Sequence, residues 1–209
     1  MNQSARRGQE QTEGIRSRAR RAVRAETTEV AVDLFLRNGF DATTIEEIAA
    51  AAGMSRSTFF RYFGSKEDAV LGELADYGER VLAALCERPE DEQPWTSLRQ
   101  ALEPVLPLPA DASPEVAAQA VRRSRLFIET PSLRARHFEK TLTWQGILRP
   151  EVARRLRCGT EDPRPAALIA CVLACLDAAL EAWTRCDGSV PLRELLDAAA
   201  DAVGPRGRG

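Results

Sequence analysis

Histidine is nearly absent from this 209-residue chain: His137 is the only one. That excludes His-x-x-x-His metal hydrolase motifs and leaves no histidine-rich catalytic constellation to assemble. No Gly-x-x-x-x-Gly-Lys-Ser/Thr run exists to cradle a phosphate, and no Cys-x-x-Cys pair exists to hold zinc. The five cysteines form no dense framework, so the chain reads as a protein of a reducing compartment rather than a disulfide scaffold. Strand-type alternation is missing throughout, and no apolar leader core follows the amino terminus. The longest apolar run, AALIACVLACLDAAL from Ala166 to Leu180, is shorter than the roughly 20 residues of a membrane span and is interrupted by Asp177. No enzyme activity, cofactor, metal site or membrane contact is expected.

What is present is arginine, unevenly placed. Residues 1–66 hold 11 basic against 8 acidic side chains, whereas the remainder holds 18 against 23, so a net charge of −2 conceals a basic front and an acidic body. Lysine occurs only at Lys66 and Lys140. Arg6, Arg7, Arg16, Arg18, Arg20, Arg21 and Arg24 crowd the amino-terminal stretch, and residues 1–14 are too polar to fold alone. They read as a disordered basic arm able to lie along phosphates or the minor groove.

Behind the arm, Val23, Thr27, Val30, Ala31, Leu34 and Phe35 share one helical face that ends at Asn38-Gly39, a stop signal. The next stretch, TTIEEIAAAAGMSRSTFFRYFGSK from Thr43 to Lys66, spells two short capped helices around a glycine turn. Thr44 with Glu47 forms a capping box, Gly53 supplies a left-handed stop, and Ser55 caps the second helix. Gly64 is expected to end that helix as Gly53 ends the first, and Ser65 with Asp68 starts another. Such a unit holds one helix forward, and its usual target is the DNA major groove. Arg56 can bond bidentately to guanine, with Ser57 and Thr58 as short neighbours, while Phe63 belongs in the core.

The order LFLRNGF followed by DATTIEEIAAAAGMSRSTFFRYFGSKED resembles the amino-terminal domain of the tetracycline-repressor (TetR) family of bacterial transcriptional regulators. The resemblance implies an all-α fold: a three-helix head with a helix-turn-helix over 15–66, an effector-binding and dimerisation bundle over 67–203, and a disordered tail over 204–209. It implies DNA contacts from Thr43, Thr44, Ser55, Arg56, Ser57, Thr58, Phe60, Arg61, Tyr62 and Lys66. Thr44, Tyr62 and Lys66 are the phosphate clamps among them. Phe60 stands where the family usually carries tyrosine, which removes a phosphate-contacting hydroxyl. The expected partners are a palindromic operator in double-stranded DNA, a second copy of the chain and a small effector, in the bacterial cytoplasm and on the nucleoid.

After Lys66 the pattern is helical: one long fourth helix through Val70, Leu74, Tyr77, Val81 and Leu85, then segments near 94–106, 114–130, 132–157, 164–186 and 191–203, with Pro150 kinking or dividing the third of these. The run near Ala166 has a large-residue face and a small-residue face, so both are buried. Ala167, Ala170, Cys171, Ala174, Cys175 and Ala178, with Leu192, Leu195, Leu196 and Ala199 on the following helix, are the candidate dimer surface of a four-helix bundle. The alternative is the central helix of a monomeric bundle. Leu98, Leu102, Leu106, Phe127, Leu142, Trp144 and Leu148 are candidates to line an apolar effector cavity, with Arg123 and its neighbours Arg122 and Arg125 for an anionic group. The body loosely resembles regulators that bind acyl-CoA-like molecules, which implies a largely apolar, acyl-type effector and a repressor released by it. Two other readings stand beside this one: a thiol redox sensor using Cys171 and Cys175, and a helical binding protein that does not touch DNA.

Overall fold

The computed structural model describes residues 3–71, 74–107 and 112–204; the side chains of residues 3–17, 74, 75 and 140 are outside that description. Every regular element among the described residues is helical. The chain divides into two compact units, residues 1–73 and 74–209.

The first unit is built from α1 (Gln3–Asn38), α2 (Ile45–Ala51), α3 (Arg56–Tyr62) and α4 (Lys66–Leu71). Where a disordered arm is expected over 1–14, the backbone from Gln3 onward continues α1. No proline interrupts residues 3–38, and alanine, arginine, glutamine and glutamate there all favour helix. The helix stops at Gly39, whose φ of +88° is left-handed backbone and whose N–H donates to the Phe35 carbonyl at 2.9 Å. Ala31, Val32, Phe35, Phe40, Ile48, Ala49, Phe59 and Phe63 form the buried interior of this unit.

Its fourth helix packs against α1: Ala69, Val70 and Leu71 are buried, and the Thr28 hydroxyl donates to the Ala69 carbonyl at 2.6 Å. The first unit therefore extends past residue 66 because those three side chains complete its core. The stretch read as one long fourth helix appears as α4 and α5 (Leu74–Cys86), which belong to different units; residues 72 and 73 lie outside the described residues.

The second unit contains α5, α6 (Pro94–Gln100), a single 3-10 turn (Glu103–Val105), α7 (Pro114–Glu129), α8 (Pro131–Arg155), α9 (Pro163–Arg185) and α10 (Leu192–Val203). Its core gathers Val81, Leu85, Leu98, Leu102, Trp144, Leu148, Val152, Ile169, Val172, Trp183 and Leu196. Pro150 does not divide α8, which runs through it. The carbonyl that loses its donor at that position belongs to Gly146, the residue with the most adaptable backbone. With 23 residues, α9 is long and apolar enough to cross a membrane by length and composition, contrary to the shorter run read from sequence. Ile169, Val172, Leu173, Leu176, Ala179 and Trp183 bury one side of it inside the unit. The end of the tail, residues 205–209, lies outside the described residues.

An arginine ties three elements of this unit together. Arg155 on α8 is 1% exposed and is ion-paired with Glu151 at 2.9 Å. Its guanidinium also donates to the carbonyls of Leu85, Arg88 and Pro89 at 2.7, 2.9 and 3.0 Å and to the Ser97 hydroxyl at 3.3 Å. Carbonyls in the last turn of α5 and the two residues beyond it thus gain a donor from α8, in addition to the backbone N–H groups of Arg88 and Glu92 that reach Leu85 and Pro89.

Candidate nucleic-acid interface

Two capped starts position the forward helix of the first unit. The Thr44 hydroxyl accepts from the Glu47 N–H at 3.2 Å, and the Glu47 carboxylate accepts from the Thr44 N–H at 2.8 Å, completing the capping box. The Thr44 backbone N–H, and then its hydroxyl, which donates to the same carboxylate at 2.9 Å, hold the Glu47 carboxyl below its ordinary range. Gly53 at φ +66° turns the chain, and the Ser55 hydroxyl accepts from the Thr58 N–H at 3.1 Å to start α3.

Helix α3 ends differently from α2. Phe63 adopts extended backbone and Gly64 does not take a left-handed φ. A Cβ at Gly64 would sit 2.8 Å from the Asp68 carboxylate, so close approach, not turn handedness, is what a glycine serves there. Asp68 accompanies the start of α4, where its N–H donates to the Ser65 hydroxyl at 3.1 Å.

The anchoring face of α3 is aromatic. Phe59 is fully buried, Phe63 is 2% exposed, and their rings lie 5.1 Å apart. The opposite face presents Arg56, Ser57, Phe60 and Arg61 to solvent. Phe60 is 45% exposed, a large apolar cost that only something outside the unit can recover. Tyr62 is half-buried between the Arg20 and Arg61 guanidinium groups, 5.8 and 5.6 Å from its ring centre. Arg20 also donates to the Arg61 carbonyl at 3.4 Å, so an arginine of α1 reaches the carboxyl end of α3.

Two expected contact residues are occupied internally. Thr43 is 1% exposed, with its hydroxyl donating to the Gly39 carbonyl at 2.8 Å, so it shapes the turn and offers no free side chain. The Lys66 ammonium donates to the Phe40 carbonyl at 2.8 Å and the Thr43 carbonyl at 3.4 Å, and lies 4.2 Å from the Phe40 ring centre. Two of its three protons are committed to the loop after α1, which leaves one for a phosphate at this helix start. A residue not singled out from sequence does meet the forward helix: Glu46 of α2 pairs with Arg56 at 2.8 Å. The missing signal is tertiary, because ten residues and a turn separate the two.

In the second unit the expected effector lining is mostly solid core. Leu98, Leu102, Trp144 and Leu148 are buried among one another and their neighbours, Leu106 packs at the core's edge, and Arg123 and Phe127 are half-buried. Leu142 is 65% exposed and faces outward, because it falls on the side of α8 away from Trp144 and Leu148. The open space lies elsewhere: a cleft of about 420 Å³ among α7, α8 and α9, lined by Arg125, Ile128, Glu129, Arg134, Glu181, Thr184 and Arg185. Arg134 pairs with Glu181 at 2.7 Å, and Arg125 donates to the Thr184 carbonyl at 2.8 Å and to Asp187 at 2.6 Å. The Asp187 bond holds the Arg125 guanidinium above its ordinary range. His137 lies 3.4 Å from Asp177, between α8 and α9.

The candidate dimer residues divide. Ala167, Ala170, Cys171, Ala174 and Ala178 form an exposed stripe along α9. Cys175, Leu192 and Leu196 are buried within the unit, with the Cys175 thiol 3.6 Å from the Ala199 carbonyl, while Leu195 and Ala199 are half-buried. Cys175 sits at the edge of the exposed stripe, where its thiol packs against α10. Burial, with a smaller contribution from Cys171, pushes the Cys175 thiol up, which weakens the Cys171–Cys175 redox reading. The thiol held below its ordinary range is Cys186, where backbone N–H groups, Val190 first, point at the sulfur in the turn after α9.

Residues 28–71 match the family described as "Bacterial regulatory proteins, tetR family", and residues 92–207 match the "MftR C-terminal domain". The chain is 34% identical over 160 residues to the HTH-type transcriptional regulator TcmR of Streptomyces glaucescens, covering 75% of this chain and 71% of that protein. It is 32% identical over 177 residues to the transcriptional regulator MftR of Mycobacterium tuberculosis, named for mycofactocin biosynthesis, covering 85% and 87%. Among solved structures, a TetR-family regulator from Syntrophomonas wolfei superposes with a TM-score of 0.59 at 18% identity, covering 90% of this chain and 99% of that one. The fatty acid degradation regulator FadR from Bacillus halodurans does so at 0.56 and 14%, covering 88% and 96%. At these identities the structural likeness establishes the fold alone.

Proposed function

The chain belongs to the tetR family of bacterial regulatory proteins, a DNA-binding transcriptional regulator with a helical ligand-binding domain, and on that premise we propose that it is a homodimeric repressor of a palindromic operator. The observation that carries the reading is the forward face of α3: Arg56, Ser57, Phe60 and Arg61 stand in solvent on a helix pinned from behind by Phe59 and Phe63. Phosphates on either side fall to Thr44, Tyr62 and the remaining proton of Lys66, with Arg20 beside Tyr62.

A second copy is the natural cover for the alanine stripe of α9, because side chains this small let two helix backbones approach closely. Two heads related by a two-fold axis then read two half-sites, and their separation becomes the quantity an effector controls. Selecting bound sequences from a random DNA pool tests all of this at once: a palindrome is expected, and a pool that stays random refutes it. A reporter downstream of the recovered site that falls on expression of the protein supports repression, and one that rises refutes it.

For the effector, the reading is an amphipathic, largely apolar anion of the acyl type. Its acidic group suits the cleft at Arg134 and Arg185, and its chain would enter by parting the packing around Leu98, Leu102, Trp144 and Leu148. Because that core is closed, binding must be coupled to rearrangement, which is what a ligand needs in order to favour one spacing of the heads. Titrating acyl carboxylates and thioesters of increasing chain length into the protein–DNA complex is the test. Release that strengthens with chain length is expected, and none with any chain overturns the assignment.

A further inference from the structure

The forward helix carries an arginine that is already held before any DNA arrives. Arg56 leaves α3 with its guanidinium carbon 5.4 Å from the centre of the Phe60 ring, one turn along the same helix. From the neighbouring helix α2, the Glu46 carboxylate comes to 2.8 Å from Arg56 Nε. Phe60 is fixed in turn, with its ring edge-on to the buried Phe59 at 5.7 Å and 87°. The guanidinium thus has a ring against its face and a carboxylate at its inner edge.

We propose that Glu46 and Phe60 are positioning residues that make Arg56 read a single guanine end-on. The inference rests on α3 entering the major groove, and it concerns how one base pair is chosen there. A guanidinium can engage a base through the Nε and Nη edge or through the two Nη groups. Glu46 occupies the first edge, which leaves the Nη fork as the surface that meets guanine O6 and N7. A free arginine side chain carries a large rotamer entropy that must be lost on reading a base, and a held one has lost part of it beforehand.

The ion pair is more than half exposed on both sides, 65% and 61%, so in water it contributes little to folding. Once a groove excludes water from it, the same pair becomes stronger, so its effect is felt when DNA is bound. The Glu46 charge has a second consequence of opposite sign: near phosphates it weakens binding to every sequence. Glu46 therefore lowers non-specific affinity while raising preference for one base pair, a combination that a purely structural role would not produce. Phe60 fits the same reading, since a ring without a hydroxyl offers a stacking face and no phosphate contact of its own.

The test uses the full-length protein and the operator recovered from a random pool, with every single-base-pair variant of one half-site measured by fluorescence anisotropy at fixed salt. Arg56→Ala is expected to abolish a preference of about tenfold or more at one G·C pair. Glu46→Ala and Glu46→Gln should tighten binding to unrelated DNA, yet lose about fivefold of the preference at that same pair and none elsewhere. Adding Glu46→Ala to Arg56→Ala should cost no further preference. Phe60→Leu should lose preference at that same pair without tightening binding to unrelated DNA, whereas Phe60→Tyr, which keeps the ring, should retain the preference. Loss spread evenly over all positions, additive effects of Glu46→Ala and Arg56→Ala, or an unchanged profile overturns the proposal. A wild-type protein that enriches no sequence overturns the groove reading and this inference with it, whereas an enriched palindrome with an indifferent Glu46→Ala overturns this inference alone.

Discussion

Replacing Arg155 by methionine should destabilise the second unit by about 3 kcal/mol. Methionine keeps the apolar length of the side chain and removes every donor. All five guanidinium N–H groups have acceptors here: Glu151, the Leu85, Arg88 and Pro89 carbonyls, and the Ser97 hydroxyl. Breaking a buried ion pair from one side costs about 3–5 kcal/mol. The lower end applies because Glu151 retains Arg154 at 2.7 Å. Three backbone carbonyls and the Ser97 hydroxyl are nonetheless left with one donor fewer, in a place where the arginine itself is 1% exposed. The assay is urea unfolding followed by tryptophan fluorescence at fixed protein concentration. All three tryptophans, Trp95, Trp144 and Trp183, lie in residues 74–209, so the signal reports this unit and not the head. An unchanged slope with a lower midpoint is expected, together with a melting temperature lower by about 10 °C. Arg155→Lys, with three donors for five acceptors, should fall between the two. Arg155→Met within about 1 kcal/mol of wild type, or Arg155→Lys equal to wild type, would refute the idea that this network anchors the end of α5 to α8.

Glu92 should make part of the acid sensitivity of the same unit. The Arg88 guanidinium, with help from Ser97, lowers its carboxyl from 4.5 to about 2. A depressed carboxyl stabilises the fold above its unfolded value and loses that contribution as pH falls from about 5 towards 2. After allowance for the partly exposed Arg88, about 2 kcal/mol is at stake, so Glu92→Gln should be less stable than wild type at pH 7 by that amount and nearly equal to it near pH 2. Gly78 on α5 faces Trp144 and Ile147, where a Cβ would lie at 3.0 and 3.1 Å. Gly78→Ala should be nearly neutral because helix propensity offsets a small displacement, whereas Gly78→Val should cost about 1–3 kcal/mol by calorimetry. Ala174→Glu places a charge in the middle of the exposed α9 stripe. It should leave the helical circular dichroism of the chain intact while halving its mass in sedimentation, and an unchanged mass would remove the proposed dimer surface.

Much of the head was legible in sequence because its determinants are local. Thr44 with Glu47, Gly53, Ser55 and Asn38-Gly39 each act within four residues, and each appears in the structure at the expected place. What was not legible there is mostly set by partners far along the chain. Lys66 turns to carbonyls of Phe40 and Thr43, more than twenty residues earlier. Glu46 reaches Arg56 across a turn, and Gly64 is the local exception, answering to the Asp68 carboxylate four residues on. In the body, helical periodicity identified apolar residues but could not distinguish a packed core from a cavity wall. Leu142, one of those apolar residues, ended in solvent.

The sequence by itself determined an all-helical chain, the caps and stops of the helices in its head and the family of that head, since caps, stops and apolar periodicity are properties of neighbouring residues. Tertiary structure decided which of two apolar faces of α9 remains open: the side bearing Ile169, Val172 and Leu176 is buried in the unit, Cys175 at its edge meets α10, and the alanine side is left exposed. It also decided that Arg155 is a buried anchor and that Arg56 is held by a carboxylate. Both arginines look alike in a string of letters. Their roles differ because the dielectric around a charge, and the acceptors within 3 Å of it, are set by segments that the chain brings together only on folding.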